Sequence, residues 1–540
     1  MKGTDPRLVP YPPAFVARYR EAGLWGDRTI ADEFHAVAKV HPDRLAVAGL
    51  DSRLSFRELD ARTDVLAAGL AELGLEPGDP VLFQVTNRVG SVVAWYGVLK
   101  AGLVPVCTLA AHRGHEIGAI SRRVGAVAHL VEAGNRGFDL VGFAHDQQVG
   151  HPTLRHVLVL DELATLGADV DPATARKVVD GIQQGIDPDD VAVFQLSGGT
   201  TGVPKVIPRL HAEYWYNAVE YARSWDWTPD TRVAHLIPII HNAGITCAVH
   251  APHSVGAALV LGTADLDLSL PLLAEAGATH VLLGHGHFGA PGHPTFDAAA
   301  HSLTQVVLSG TKVPPALFDG LERRGLWSAQ LFGMGEGLML TTRPGTPRAA
   351  RATTVGTPIS ELDEVRVLAP GTEDEVPDGE IGELCCRGPY TLRGYLDAPG
   401  HNARAFTSDG FYRTGDLAVI TGIEGGRYIA IEGRIKDLIN RGGEKISAEE
   451  VELLLLRHPR VRNAAVVAVP DPRLGERSCA FLVVDGEPLT LVDIQEHFAQ
   501  LQVAKFKWPE RVEHLAEIPR TLVGKVDKKH LQAIAAEGVS

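Results

Sequence analysis

Apolar and polar positions along the first two-thirds of the chain follow two alternating rhythms. Asp60–Leu73 spaces its apolar residues three and four apart, the period of a helix with one buried face, whereas Pro80–Val85 (PVLFQV) is a short, almost continuous apolar run that reads as a buried strand. Ser91–Ala101 is helical again, and Val104–Leu109 again strand-like. Strands alternating with amphipathic helices predict an α/β, multi-domain class with layered, mostly parallel sheets, because a parallel neighbour is reached only across a long crossover. Past about Tyr395 the texture changes, and glycine, aspartate and arginine crowd into FTSDGFYRTGDLA and EGRIKDLINRGGEKIS. The chain closes with a helix over Ala448–Arg457, strands over Ala464–Val469 and Cys479–Val484, and a helix over Leu491–Gln500. A loop, KFKWPE, and a strand-turn-helix around IPRTLVGKVDKKHLQ complete it. The charged, non-periodic stretch Gly433–Asp437 separates two self-sufficient patterns, so residues 1–433 are expected as a large N-terminal domain and 434–540 as a small α+β C-terminal one.

Composition narrows the partners. At 540 residues the chain exceeds the size of a single core. A net charge of −15 argues against nucleic acid or an acidic membrane as partner, so any polyanion site must be built locally from backbone amides and a few cations. The five cysteines form no CxxC pair, which suits a reducing compartment. The opening MKGTDPRLVPYPPAF has no apolar core and is broken by prolines, and no apolar stretch approaches the ~20 residues that span a bilayer. A cytoplasmic protein is expected.

The strongest local signal is LSGGTTGVPKVIPR, Leu196 to Arg209. A strand-like VAVFQL feeds into Ser197, Gly198, Gly199, Thr200, Thr201 and Gly202, and then, past Val203 and Pro204, into Lys205. Glycines let successive N–H groups converge, the hydroxyls add donors and the lysine adds one cation, which together can cradle phosphate oxygens. It is not a Walker A loop, which needs Gly and Lys adjacent; the Gly524–Lys525 pair has Pro519 where that pattern needs its first glycine.

With this loop in place, the sequence resembles the adenylate-forming superfamily of acyl-CoA synthetases, luciferases and peptide-synthetase adenylation domains. Further motifs follow in that family's order. FGMGEG (Phe332–Gly337) implies Glu336 as the Mg²⁺ holder, beside Phe332, Gly333 and Met334 at the nucleotide. YRTGDLA implies Asp416 on the ribose hydroxyls, and EGRIKD implies Arg434 on ribose or phosphate and Lys436 at a hinge. RGGEKIS supplies Gly442, Gly443, Glu444 and Lys445 as the loop entering for a second, thiolation step, and IPRTLVGKVDKK supplies Lys525 as the adenylation lysine. SGTK stands where the adenine-lining segment falls, implying Gly310, Thr311 and Lys312. The resemblance also implies a β-barrel-like subdomain in the large body and a mobile C-terminal cap. ATP and Mg²⁺ are the implied cofactors.

The wording of YPPAFVARYREAGLWGDRTI, LSGGTTGVPKVIPR and CRGPYTLRGYLDAPGHNARAFTSDGFYRTGD is similar to stand-alone ligases that load 2,3-dihydroxybenzoate or salicylate onto AMP in siderophore and antibiotic pathways. That resemblance implies an acid pocket of His241 (a gate also counted with the catalytic residues), Asn242, Cys247, Gly310, Gly335 and Met339. Asn242 implies an acid with an ortho-hydroxyl or ortho-amino group. Cys247 and Met339 are poor partners for a 3-hydroxyl and lean the pocket towards salicylate. His285 and His287, in GHGHFG, either reach an extra polar substituent, as on 3-hydroxyanthranilate, or stand behind the pocket wall. Tyr214 and Trp215 read as helix-face packing. The implied acceptor is the phosphopantetheine thiol of a separate aryl carrier protein or peptide synthetase, with free coenzyme A as the alternative. From another class, a non-catalytic nucleotide-binding homologue stays open.

Overall fold

The structure is a computed structural model that describes residues 5–135, 137–197, 203–441, 444–501, 503, 505–521 and 525–537. The chain packs as two compact units. The first comprises Met1–Ala352, Gly356–Glu364 and Arg387–Tyr412, and the second Thr353–Val355, Val365–Cys386 and Arg413–Ser540.

The first unit holds two sheets. In one, six strands run in the order His156–Val159, Ala128–Val131, Pro80–Gln84, Val104–Cys107, Val191–Leu196 and Val206–Leu210, parallel except for the last pair. In the other, nine strands include a parallel centre of Trp327–Met334, Gln305–Ser309, His280–Gly284, Arg232–His235, Ala258–Leu261 and Leu45–Gly49, with antiparallel strands at both edges. The layered, mostly parallel α/β architecture read from the alternating pattern is therefore present. The helix expected from Asp60 begins at Phe56, because Ser55 and Glu58 form a reciprocal capping box that satisfies the first free amides. Lys100, fully buried, lies 2.6 Å from Asp60 and 2.6 Å from Asp64, and Arg176 reaches Asp64 at 3.0 Å. This network ties the helices Phe56–Glu72, Val89–Lys100 and Pro172–Gln183 together.

The second unit has a four-stranded sheet, Glu364–Leu368, Gly382–Arg387, Tyr412–Ile423 and Gly426–Arg434 in that order, and a five-stranded sheet further along the chain. In the latter, Val461–Asp471 and Gly475–Val484 pair antiparallel and are longer than the apolar runs that announce them. KFKWPE is a loop as expected, with a tight turn at Lys505–Lys507, and a strand the sequence did not announce follows at Arg511–His514, paired parallel to Gly475–Val484. One reading is corrected here. The strand expected near Ile518 is only an isolated bridge between Arg520 and Val526, ahead of the helix Lys528–Glu537. Among the described residues no helix is long and apolar enough to cross a membrane.

Candidate active site

Parallel strands deliver their trailing loops to one edge of a sheet, and this is where α/β proteins build sites. Arg232–His235, His280–Gly284, Gln305–Ser309 and Trp327–Met334 run in parallel register, so their C-terminal ends share an edge. His241 and Asn242 come after the first of these ends, His285 and His287 after the second, Gly310 to Lys312 after the third, and Gly335 and Glu336 after the fourth. The structure thus brings these four segments of the large unit to one edge of the nine-stranded sheet. Gly310 adopts φ +100°, a left-handed conformation that favours glycine, directly after its strand.

Glu336 stands at the tip of a hairpin in which Met334 pairs with Leu338 and Gly333 with Met339. Gly337 closes the turn at φ +102°, and a Cβ there would fall 1.8 Å from the Tyr390 carbonyl oxygen. Arg209 braces the same turn: its guanidinium donates to the Gly335 carbonyl at 3.0 Å, while the buried Glu213 holds it at 2.8 Å. Tyr395 donates its hydroxyl to Glu336 Oε1 at 2.8 Å and lies 2.8 Å from the Tyr412 hydroxyl. Burial and the Glu336 carboxylate raise the Tyr395 pKa, so the phenol stays protonated. Lys205 sits over the Tyr395 ring, 4.5 Å from its centre, with its ammonium 3.0 Å from His401 Nε2. Burial, and then the Lys205 charge, lower the His401 pKa and favour the neutral imidazole as acceptor. One positioned carboxylate beside a lysine suits Mg²⁺ held largely by nucleotide phosphates and water. No cluster of three or more His, Cys, Asp or Glu among the described residues offers a complete protein cage.

Of the phosphate loop, Gly198, Gly199, Thr200, Thr201 and Gly202 lie outside the described residues. Its base is a hairpin between Val191–Leu196 and Val206–Leu210, closed by the Ser197 N–H on the Lys205 carbonyl at 2.9 Å and by the Lys205 N–H on Ser197 Oγ at 3.0 Å.

Asn242 opens a helix that passes into a π-helical turn, Gly244–His250, a rare geometry often found at functional sites. Gln195 Nε2 donates to the Tyr214 hydroxyl at 3.0 Å, so Tyr214 in turn donates to Asn242 Oδ1 at 2.9 Å. With Oδ1 engaged, Asn242 presents its Nδ2 amide as donor, which suits a carboxylate or hydroxyl oxygen. Tyr214, read from sequence as packing, is therefore also a polar support; Trp215 packs beside the His250 ring, 5.7 Å between centres. Cys247 is buried with Met339 in one apolar cluster, and burial pushes its thiol up to about 12, so it stays a neutral, apolar wall. His285 is half-buried, with its ring 5.6 Å from that of Phe288, whereas His287 is buried with Nδ1 lacking a hydrogen-bond partner.

The sequence reading passed over His235, the last residue of its strand. Both its ring nitrogens are buried without a hydrogen bond, and such orphaned groups cost about 1–3 kcal/mol each. Arg209, Tyr395 and His401 were passed over too, since only tertiary packing reveals their contacts.

In the second unit, Asp416 and Arg434 are cross-strand partners, with Arg434 Nε 2.8 Å from Asp416 Oδ1. Lys436 is exposed on the short turn Ile435–Asp437. Gly442 and Gly443 lie outside the described residues; the backbones of Glu444 and Lys445 pair with Arg441 and Asn440. Lys525 is exposed and its carbonyl accepts from the Thr521 N–H at 2.7 Å. Lys528, three residues on, is anchored 3.0 Å from Glu452.

The family of AMP-binding enzymes matches residues 34–396, and its C-terminal domain matches residues 450–525. A salicylyl-CoA synthase / salicylate adenylyltransferase from Streptomyces sp is 38% identical, covering 98% of this chain and 97% of that protein. A 2,3-dihydroxybenzoate-AMP ligase from Bacillus subtilis is 35% identical, covering 98% of each. The apo structure of MbtA from Mycobacterium smegmatis is 36% identical, superposes with a TM-score of 0.71, and covers 97% of this chain and 98% of its own.

Proposed function

The chain belongs to the AMP-binding enzyme family, and from that footing we propose that it is an ATP-dependent ligase that converts a small aromatic carboxylic acid to its aryl-AMP. The observation that carries this reading is full-length similarity to enzymes named for salicylate and 2,3-dihydroxybenzoate. In the first step a carboxylate oxygen attacks the α-phosphorus of ATP; the new P–O bond forms as the bond to the β-phosphate breaks, and pyrophosphate leaves. Both partners are anionic, so catalysis is alignment and charge neutralisation. Mg²⁺ held by Glu336 would supply part of that neutralisation. Lys205 and residues 197–202 take phosphate oxygens, Gly310 to Lys312 and Phe332 to Met334 line the nucleotide, Asp416 and Arg434 take the ribose, and Lys525 meets the reacting oxygens. His241 gates the acid, and Asn242 bonds its carboxylate or an ortho-hydroxyl or ortho-amino group, with Cys247, Gly335 and Met339 as walls.

In the second step the phosphopantetheine thiol of a separate aryl carrier protein attacks the acyl carbonyl; a C–S bond forms and AMP departs. Residues 434–540 form the mobile cap in this reading, turning about Lys436 after the boundary at Gly433 to exchange Lys525 for the Gly442–Lys445 loop. Free coenzyme A is the second reading of the acceptor, favoured by the name of the Streptomyces relative. The expected setting is siderophore or antibiotic assembly in the cytoplasm, which suits five buried cysteines.

Acid-dependent ATP–pyrophosphate exchange tests the first step. Salicylate is expected to support exchange, and Lys525→Ala to lower it about 100-fold or more with the fold intact. Exchange unchanged in that variant would remove Lys525 from the reaction.

A further inference from the structure

Asn87 lies in the loop between the strand Pro80–Gln84 of the six-stranded sheet and the helix Val89–Lys100, yet its side chain serves the backbone of the other sheet. Its Nδ2 donates to the Ile237 carbonyl at 2.8 Å and to the Gly262 carbonyl at 2.8 Å, while Oδ1 accepts from the Ile239 N–H at 2.7 Å. Two carbonyls on one end and an N–H on the other fix the orientation of the amide. Gly262 follows the strand Ala258–Leu261, and Ile237 and Ile239 follow its parallel neighbour Arg232–His235. One half-buried side chain thus clasps the ends of two adjacent strands of the nine-stranded sheet. Its own loop is anchored: Thr86 donates its hydroxyl to Glu132 Oε1 at 2.7 Å and its N–H to the same carboxylate, and its carbonyl accepts from Ser91 Oγ at 2.8 Å. The clasped turn leads straight into the proposed acid site. The His241 N–H donates to the Pro238 carbonyl at 3.1 Å, and the Ile245 N–H to the His241 carbonyl at 3.0 Å. Gly244 packs so closely on the turn that an added Cβ would fall 2.1 Å from the Ile239 carbonyl oxygen. A shift of residues 237–239 is therefore passed to the helix that carries Asn242.

Resting on the aryl-acid reading, we infer that Asn87 is a positioning residue of the acid site. By clasping residues 237–239 it sets where His241 and Asn242 stand, and with them the preference for an acid that carries an ortho group. Both of its amide protons are engaged by backbone, so it acts through those two residues. The proposed nucleotide segments belong to other strands of the sheet: residues 310–312 follow Gln305–Ser309, and residues 332–334 end Trp327–Met334. Loss of the clasp should therefore weaken the acid and spare ATP. Gln183 supplies the comparison that separates position from stability. Buried between the helices Pro172–Gln183 and Val89–Lys100, it makes the same kind of three-bond clasp, donating to the Leu99 and Lys100 carbonyls at 3.0 and 2.9 Å and accepting from Thr29 Oγ1 at 2.6 Å.

The test is pyrophosphate exchange by the full chain with salicylate and benzoate. Asn87→Asp keeps the shape and the acceptor for Ile239 but sets a carboxylate oxygen against two carbonyls. It is expected to raise the KM for salicylate about fivefold or more, to leave the KM for ATP within about twofold, and to shrink the preference for salicylate over benzoate. Gln183→Ala is expected to lower the melting temperature and leave both KM values within about twofold. If Asn87→Asp does not fold by thermal melting, Asn87→Ser, which keeps a donor and an acceptor on a shorter arm, is read in its place with the same expected split. In the folded variant, an unchanged salicylate KM, acid and ATP KM values that rise together, or an unchanged salicylate-to-benzoate ratio overturns the inference. The same split in Gln183→Ala overturns it too. Absence of exchange by the wild-type chain with every aromatic acid would instead refute the activity on which the inference rests.

Discussion

Single residues here act largely through what holds them. Asn242 is expected from the sequence as a pocket amide, and in the structure its Oδ1 accepts from Tyr214, itself set by Gln195, and more weakly from Thr246 at 3.4 Å. Removing the Tyr214 hydroxyl should free the amide to rotate without disturbing the nucleotide side. Tyr214→Phe is therefore expected to raise the KM for the acid about 3- to 10-fold, the worth of one hydrogen bond, with little change in the KM for ATP. Equal loss on both substrates would mean a general packing defect. Glu336 follows the same logic: FGMGEG names it, while Tyr395 and Tyr412, linked only in the fold, hold it.

At the scale of elements, the hairpin carrying Glu336 depends on two glycines of opposite tolerance. Gly337 combines φ +102° with a carbonyl 1.8 Å from any added Cβ, whereas a Cβ at Gly335 would meet the terminal methyl of Ile207 at 3.2 Å and the Leu196 carbonyl oxygen at 4.0 Å. Gly337→Ala is expected to destabilise the large unit by about 3 kcal/mol or more, from backbone strain plus the forced displacement. Gly335→Ala should change stability by less than about 1 kcal/mol. Denaturant titration separates the two, and equal effects would refute the assigned geometry. The helix layer has its own vulnerable point: Lys100→Met leaves Asp60 with His35 and Asp64 with Arg176, without the ammonium that joins the two carboxylates. The expected loss is about 3–5 kcal/mol, the usual consequence of breaking a buried ion network by removing one partner. The elements themselves were mostly legible. Helix starts were not, where a capping pair such as Ser55 and Glu58 overrides the apolar period, and neither was Arg511–His514, a short strand created by its partner Gly475–Val484.

For the whole molecule, buried histidines set the response to acid. Burial lowers His129, His211, His235 and His250 to about 3, and His253 and His280 to about 4. The folded state refuses these protons, while the unfolded chain takes them up below about 6.5. Stability from neutral burial is therefore complete above that value and lost as pH falls from about 6.5 towards 3 to 4. Asp363, raised to about 8 by burial, works in the opposite sense, as do the more modestly raised Glu33, Asp64, Asp189, Glu213, Glu220 and Glu452; the contribution of Asp363 is lost as pH rises from about 4 to 8. Calorimetry at pH 5 in two buffers of different ionisation enthalpy should reveal net uptake of several protons on unfolding, and a melting temperature below that at pH 7. No uptake would show that these imidazoles are not buried as described.

The amino-acid sequence alone determined the α/β class and the order of the motifs, because period, glycine spacing and charge are local properties that survive without a fold, and the wording of those motifs carried the family resemblance. Tertiary structure alone decided which groups support those motifs. Tyr395 meets Glu336 across 59 positions of chain, Arg209 reaches the Gly335 carbonyl across 126, and the orphaned ring of His235 lies among residues from separate helices and strands. Such contacts depend on strand register and helix packing, and no pattern within a short window of sequence encodes either.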